Sequence, residues 1–294
     1  MSRLQQSLLL CICYLSWINI SLANVSNVSP SHIQTLSDIA YGTDPAQRFD
    51  VYIPANVKQA PVLFMVHGGG WDSGDKANAA SVLNKMQYWT ARGYVFISTN
   101  YRLLPQADVG QQAQDVAFAI SHAQTHASEW GADANRFILM GHSAGAHLVS
   151  LVMASPSLLK LAKVKPWSGA VVLDSGAMNV MQLMQESHGK LYDKAFGSDI
   201  FYWAKNSPVQ RLEHKLPPVL AVCSIPRGSD CLQAQQFIDK QKSLGGQGVV
   251  LREQMNHYNI NHLLGKEPAY TAAVDQFMQS LLTQTSPVSG SATR

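Results

Sequence analysis

Short apolar runs alternate with longer stretches of helical periodicity along most of this chain. Continuous apolar runs, such as Pro61–Val66 and Phe137–Met140, suit strands that are buried on both faces of a sheet. The predicted strands lie at 61–66, 94–98, 136–140, 169–173, 219–223 and 249–252, and the longest predicted helices lie at 77–92 and 110–130. This alternation predicts an α/β fold, with a mostly parallel sheet covered by helices on both faces.

A further strand is predicted ahead of this series. Phe49, Val51 and Ile53 alternate with Asp50 and Tyr52. A period of two is typical of a strand with one covered face. We therefore predict an outer antiparallel strand at 49–53.

A candidate nucleophile lies where the strand at 136–140 meets the next helical pattern. The pentapeptide GHSAG at 141–145 has the form G-x-S-x-G, with Ser143 at its centre. A turn this tight strains the central residue, and the two flanking glycines remove Cβ atoms that would clash there. The helix that follows directs free N–H groups toward the same point. This arrangement predicts an exposed, reactive Ser143 hydroxyl.

A glycine-rich loop follows the apolar run at 61–66. Its sequence is HGGGW at 67–71, and consecutive glycines let backbone N–H groups approach a ligand without steric cost. The N–H groups of Gly69 and Gly70, joined by that of Ala144, would form an oxyanion hole. Because both segments follow parallel strands, we expect them to meet at the carboxyl edge of the sheet.

Composition narrows the range of functions. The 294 residues are 46% apolar and 14% charged, which is typical of a globular domain with a large core. The formal net charge of +3 and the lack of a basic cluster argue against a nucleic-acid partner. No spacing of His, Cys and carboxylates suggests a metal site, and we expect no cofactor.

The N-terminus has the features of an export signal. Arg3 precedes a mostly apolar stretch, and Ser21-Leu22-Ala23 offers a cleavage site. We predict a signal peptide at 1–23, a linker at 24–37 and a secreted or periplasmic protein without stable membrane association. An uncleaved membrane anchor is the alternative, although Ser16 and Asn19 interrupt the apolar stretch.

Two cysteines remain after the predicted cleavage. Cys223 and Cys231 bracket a polar loop between a predicted strand and a predicted helix. In an oxidising compartment they would form a disulfide, and two unpaired buried thiols are the alternative.

Three motifs together resemble one enzyme superfamily. HGGGW at 67–71, NYRLLP at 100–105 and GHSAG at 141–145 are similar, in order and spacing, to motifs of the α/β-hydrolase superfamily. The resemblance is greatest to its carboxylesterase branch, related to hormone-sensitive lipase and to bacterial feruloyl-esterase-like domains, and it covers about 39–282. It implies the α/β-hydrolase fold, acyl chemistry, and Gly69, Gly70 and Ala144 as oxyanion donors, but no particular substrate.

The resemblance also implies a histidine and an acid later in the chain. His257, just beyond the last predicted strand, matches the family's histidine loop and would be the general base, with His262 as the rival. The acid departs from the family pattern. We assign the acid to Asp230, the carboxylate of the loop at 224–230, with Asp174 as the alternative. A purely structural role for Asp230, as the N-cap of the following helix, is the other explanation.

The predicted domain spans 38–284. An insertion at about 178–216, rich in aromatic residues and methionine, would be a small cap over the site or ordinary helix packing, and 285–294 would be a frayed tail.

The sequence thus predicts a serine carboxylesterase that hydrolyses small soluble esters through an acyl-enzyme, with Ser143, His257 and Asp230 as its triad. Arylformamidase or feruloyl esterase activity on the same residues is the nearest alternative. A binding protein that kept the fold but lost turnover is the alternative from another class.

Overall fold

A single mixed sheet organises the part of the chain that the computed structural model describes, residues 33–283. Its strands are β1 (Ile33–Ala40), β2 (Arg48–Pro54), β3 (Ala60–Val66), β4 (Val95–Thr99), β5 (Ala132–His142), β6 (Gly169–Leu173), β7 (Val219–Ser224) and β8 (Gly248–Glu253). Their order across the sheet is β1-β2-β4-β3-β5-β6-β7-β8. The pairings from β4 to β8 are parallel, and β2 pairs antiparallel with both β1 and β4. The predicted α/β fold with a mostly parallel sheet is confirmed.

Helices follow most of the parallel strands. They are α1 (Ala79–Thr90), α2 (Val109–His126), α3 (Ala144–Met153), α4 (Pro156–Ala162), α5 (Val180–Gln185), α6 (Lys190–Phe196), α7 (Ile200–Lys205), α8 (Pro208–Arg211), α9 (Ser229–Ser243), α10 (His257–His262) and α11 (Pro268–Thr283). Short 3-10 turns extend α2 at Ala127–Trp130 and follow β7 at Ile225–Arg227.

The central strands divide the core into two layers. Along β3, Val62, Phe64 and Val66 contribute to one apolar cluster, whereas Leu63 and Met65 contribute to the other. Successive side chains of a strand point to opposite faces, so a continuous apolar run supplies both layers at once. This is why these strands lack a polar alternation in the sequence.

The edge of the sheet differs from the sequence prediction. Residues 33–37 were assigned to a linker, but they belong to β1, which pairs with β2 through contacts such as Thr35 with Tyr52. Strand β1 therefore takes the outer position that we assigned to the strand at 49–53. Its burial pattern has only intermediate and exposed residues, because an edge strand has few apolar contacts to make. The hydrophobic pattern of the sequence therefore gave little indication of β1.

Four short helices, α5 to α8, occupy the predicted insertion at 178–216. Tyr192 and Phe196 of α6 pack against Trp71 of the glycine-rich loop, with ring centroids 6.0 and 5.0 Å apart. The insertion therefore contacts the glycine-rich loop.

The predicted signal peptide at 1–23 and tail at 285–294 lie outside the described residues. Within 33–283, no single helix is long and apolar enough to cross a membrane, and α3 with α4 meets that length and composition only as a pair bent by 88°.

Candidate active site

Ser143 lies in a strained turn between β5 and α3. Its backbone angles are φ 54° and ψ −119°, and its N–H donates a 2.8 Å hydrogen bond to the carbonyl of Leu173. A non-glycine residue in such a conformation costs on the order of 1–3 kcal/mol and persists only where its surroundings hold it. The strand on one side and the helix on the other supply that support.

The flanking glycines permit this turn for the reason that the sequence predicted. A Cβ on Gly141 would clash with the backbone of Gly145, and a Cβ on Gly145 would clash with the carbonyls of Val66 and His67. Backbone cannot move aside as a flexible side chain can. The turn therefore packs directly against the end of β3.

The glycine-rich loop lies beside this turn. Gly69 has φ +124°, and its carbonyl accepts hydrogen bonds from the N–H groups of Asp72 and Ser73. A Cβ on Gly69 would clash with the backbone of Ser73. The hydroxyl of Tyr101 donates to the carbonyl of His67 at 3.0 Å and fixes the start of the loop. Glycine is thus required for the tight fold of this loop.

His257 is the first residue of α10. Asn256 caps this helix by accepting a hydrogen bond from the N–H of Asn259 at 2.8 Å. Nδ1 of His257 lies 2.6 Å from Oδ2 of Asp174, which directly follows β6. A histidine whose Nδ1–H donates to a carboxylate keeps Nε2 free to accept a proton.

Asp174 is held as an ionised acceptor. Its side chain is fully buried, and its Oδ1 accepts a 2.7 Å hydrogen bond from the N–H of Ser224. Burial alone would raise the pKa of Asp174, but the bonds from His257 and Ser224 and the charge of Arg227 together lower it. The carboxylate therefore stays charged beside the imidazole.

The assignment of Asp230 as the histidine's partner was wrong, and the alternative, Asp174, makes this contact. Asp230 is the second residue of α9, and its Oδ2 pairs with Nη1 of Arg227 at 2.6 Å. Burial raises the pKa of Asp230 to about 6, although the charge of Arg227 opposes this rise. The guanidinium of Arg227 and the hydroxyl of Ser229, which donates to Oδ1 of Asp230 at 3.2 Å, therefore explain its position, rather than a bond to His257.

Arg227 contacts both acids and the histidine, and the sequence reading did not single it out. Its Nη1 lies 2.8 Å from Oδ2 of Asp174 and also contacts Nδ1 of His257. Arg227 lies in the loop in which we searched for the catalytic acid. Its partners Asp230, His257 and Asp174 are 3, 30 and 53 residues away, and no sequence spacing predicts contacts of this kind.

Five of the predicted site residues line one cavity of about 370 Å³, and Asp230 does not. The cavity is lined by Gly69, Gly70, Trp71, His142, Ser143, Ala144, Ser175, Gly176, Leu191, Tyr192, Arg227 and His257. The predicted nucleophile, base and three oxyanion residues are thus brought together, and the cap contributes Leu191 and Tyr192. This mixture of apolar walls and a few polar groups is typical of a small-molecule site.

The other histidines near the cavity have structural partners. Nε2 of His142 lies 3.0 Å from the carbonyl of His257. His147 joins Nε1 of Trp71 to the carbonyl of Asn206. Burial lowers the pKa of His147 to about 4, so this ring is neutral near pH 7. These contacts give His142 and His147 structural roles beside the site.

A buried lysine holds the helix that carries His257. Lys85 of α1 is fully buried, and its Nζ donates to the carbonyls of Ala80 and Asn261. Asn84 donates to the carbonyl of His262. These contacts satisfy carbonyls at the C-terminal end of α10 that have no partner within the helix. Among the described residues, no carboxylate pairs with Lys85, and burial lowers its pKa to about 7.

This pKa predicts how Lys85 affects stability with pH. The folded chain releases this proton near pH 7 and the unfolded chain near 10.5, so the unfolded state binds more protons between these values. The free energy of unfolding should therefore rise with pH in this window, by about 1.4 kcal/mol per pH unit relative to Lys85→Met. Urea titrations at pH 7.5, 8.5 and 9.5 measure it. Lys242→Met, on an exposed position of α9, is the control, and a constant difference from Lys85→Met would contradict the prediction.

The predicted disulfide between Cys223 and Cys231 is confirmed. It links the end of β7 to the start of α9, with Cα atoms 5.1 Å apart. A loop of this length lowers the entropy of the unfolded chain enough to stabilise the fold by about 2.5 kcal/mol. The bond therefore fixes the segment that carries Arg227. A disulfide agrees with an oxidising compartment, and secretion stays a prediction.

Asp174, Asp230 and His257 also have the spacing of a metal site, with ligand atoms within 4.8 Å of one another. The guanidinium of Arg227 contacts all three groups. A metal ion there would have to displace a positive charge that already pairs with both carboxylates.

Comparisons with known proteins agree with this geometry. The BD-FAE family model matches residues 49–223. The chain is 29% identical over 257 residues to isoprenylcysteine alpha-carbonyl methylesterase ICME of Arabidopsis thaliana, an alignment that covers 77% of this chain and 57% of that protein. It is 27% identical over 262 residues to the probable carboxylic ester hydrolase LipM of Mycobacterium tuberculosis, covering 82% and 60%. The chain thus spans less than two thirds of the length of these relatives.

A solved structure shows the same fold. Esterase B from Lactobacillus rhamnosis superposes with a TM-score of 0.69 at 23% identity, covering 87% of this chain and 88% of that one. The family model includes the glycine-rich loop, the serine turn, Asp174 and the first cysteine of the disulfide. The chain therefore belongs to the BD-FAE family, within the carboxylesterase branch of the α/β hydrolases.

Proposed function

We propose that this protein is a serine carboxylesterase that hydrolyses small soluble carboxylic esters through an acyl-enzyme. The observation that carries the proposal is the shared cavity. A strained Ser143 lines it together with His257 and with the glycine-rich loop. The esterase names of its relatives support the same class of reaction.

In the first half of the proposed reaction, the hydroxyl of Ser143 attacks the ester carbonyl while Nε2 of His257 takes its proton. The N–H groups of Gly69, Gly70 and Ala144 stabilise the oxyanion, and each such donor contributes roughly 10²–10³ in rate. His257 then returns the proton to the alcohol oxygen as it leaves. Asp174 stabilises the imidazolium and keeps its tautomer.

In the second half, water attacks the acyl group on Ser143. His257 again acts as base, and the carboxylic acid leaves as the serine regains its proton. No cofactor takes part in these steps. The cavity of about 370 Å³ lies near the lower end of the usual range for ligand pockets, roughly 300–1,000 Å³, which supports small substrates.

Initial rates on 4-nitrophenyl esters from acetate to laurate test this function. We expect the short chains to react fastest, because the cavity is small. Methyl ferulate and formanilide belong in the same series, since a preference for either would indicate a feruloyl esterase or a formamidase. A fluorophosphonate, which labels only an activated serine, should modify the protein. If the protein neither hydrolyses these substrates nor is labelled, the proposal is contradicted and a binding protein is favoured.

A further inference from the structure

Two histidines and a glutamate lie together at the end of helix α2. His122 and His126 are four residues apart, so their side chains lie on the same face of the helix. Their rings stack, with centroids 4.4 Å apart. Glu129 follows in the 3-10 turn at Ala127–Trp130. None of the three residues lines the candidate active-site cavity, so the proposed esterase reaction gives them no role.

Glu129 fixes the orientation of the His126 ring. Nδ1 of His126 lies 2.7 Å from Oε1 of Glu129. An ionised carboxylate can only accept, so in the neutral ring Nδ1 carries the proton and the lone pair of Nε2 is left for a ligand. Histidines that bind metals almost always donate the other ring N–H in this way, and a carboxylate partner makes the ligating nitrogen more basic. His126 thus has the tautomer of a metal ligand.

The His122 ring is held by packing. It lies edge-on to Phe49, with ring centroids 5.7 Å apart, and within residues 33–283 no group forms a hydrogen bond with it. Burial and the charge of the neighbouring His126 lower the pKa of His122, although Glu129 opposes this shift. The neutral imidazole is the form that binds metal ions. His122 therefore offers ring nitrogens that the fold does not use.

The position of the two rings suits a shared cation. Two imidazole nitrogens on a tetrahedral ion, each 2.0–2.1 Å from the metal, lie roughly 3.3 Å from one another. The centroids of the stacked rings are already 4.4 Å apart, so small side-chain rotations bring the nitrogens to that distance. His126 is also the last residue of α2, where the negative end of the helix dipole favours a positive charge.

We propose that His122 and His126 bind one divalent transition-metal ion through their imidazole nitrogens, while Glu129 orients His126. Water completes the coordination, because 37% of the His126 side chain is exposed. Imidazole ligands suit copper, nickel and zinc, with Cu²⁺ bound most tightly, whereas Mg²⁺ and Ca²⁺ prefer oxygen ligands. The sequence prediction of no metal site overlooked this pair. The inference does not depend on the proposed esterase function.

Calorimetric titration with Cu²⁺ at pH 7.5, on the protein without an affinity tag, tests the site. We expect one tight site, and we expect His122→Asn and His126→Asn each to weaken it at least tenfold, because the second imidazole binds an ion already held by the first. His188→Asn is the matched control. His188 also contacts a carboxylate, Asp193 at 3.0 Å, but no histidine lies four residues from it. Unchanged affinity in both site variants, or an equal loss in the control, would overturn the inference.

Two further measurements identify the ligands. The electron paramagnetic resonance spectrum of the Cu²⁺ complex should show two imidazole nitrogens in the wild type and one in His126→Asn. Since more than a third of the His126 side chain is exposed, this variant decides the question even if His122→Asn does not fold. A spectrum with the same nitrogens in both proteins would overturn the inference, as would equally tight binding of Mg²⁺.

Glu129→Gln tests the orienting role. Loss of a carboxylate that accepts from a metal-binding histidine typically costs 10–100-fold in affinity, and we expect about tenfold for this exposed residue. The two nitrogens should stay in the spectrum of this variant, because the glutamate is not itself a ligand. Unchanged affinity in Glu129→Gln would contradict its role in the site.

Discussion

Replacing Ser143 with alanine is expected to lower kcat for ester hydrolysis by at least about 10⁴-fold, because loss of the nucleophile of a serine triad removes the acyl-enzyme route. What remains is the contribution of the oxyanion donors and of substrate binding. Labelling by a fluorophosphonate should disappear in the same variant. Steady-state rates on butyl acetate are the measurement, since a poor alkyl leaving group needs the full catalytic contribution of the site.

A second serine supplies the matched control. Ser150 is fully buried in α3, two helical turns beyond Ser143, and it does not line the cavity. Ser150→Ala removes the same kind of atom from the helix that directly follows Ser143, and it should keep kcat within about threefold of wild type, as expected for a substitution that touches no reacting group. Equal loss in both variants would mean that folding, rather than nucleophilic attack, explains the effect.

Asp174→Asn is expected to lower kcat by about 10³–10⁴-fold at neutral pH. An amide in this position can donate to Nδ1 of His257, which then holds the wrong tautomer and cannot accept the serine proton. The 2.6 Å contact and the lowered pKa of Asp174 are the reasons to expect so large an effect. Rates on butyl acetate, with a thermal melt to show that the variant folds, measure it.

Asp230→Asn is the control for this experiment. It removes a charge of similar burial from the same cluster, but from a residue that pairs with Arg227. We expect a loss of at most about tenfold, since Asp174 still orients His257. A larger loss in Asp230→Asn than in Asp174→Asn would restore Asp230 as the acid and contradict the geometry described above.

The acid shows where sequence reasoning reaches its limit. Both candidates follow a parallel strand at the carboxyl edge of the sheet, so topology alone allowed either. The family pattern favoured the loop after β7, and Asp230 was the carboxylate available there. The deciding fact is distance: Asp174, in a left-handed conformation that aspartate tolerates, reaches Nδ1 of His257 across 83 residues of sequence.

Arg227 and Lys85 were missed for a related reason. Each is defined by what surrounds it after folding: two buried carboxylates for Arg227, and the carbonyls of a neighbouring helix for Lys85. In the sequence, both are ordinary basic residues of a polar loop and a helix. The edge strand β1 was missed because it is neither apolar nor strictly alternating.

The sequence by itself determined the α/β architecture, the serine turn and the glycine-rich loop, and it predicted the disulfide, whereas the resemblance to the family supplied the position of the histidine. The architecture, the turn and the loop depend on patterns within a few residues, where the period of apolar side chains or the conformational freedom of glycine is already decisive. The tertiary structure alone decided which acid meets the histidine, what Asp230 pairs with and how α10 is held. These depend on burial and on distances between residues far apart in the chain, and desolvation and charge act only once those residues are packed together.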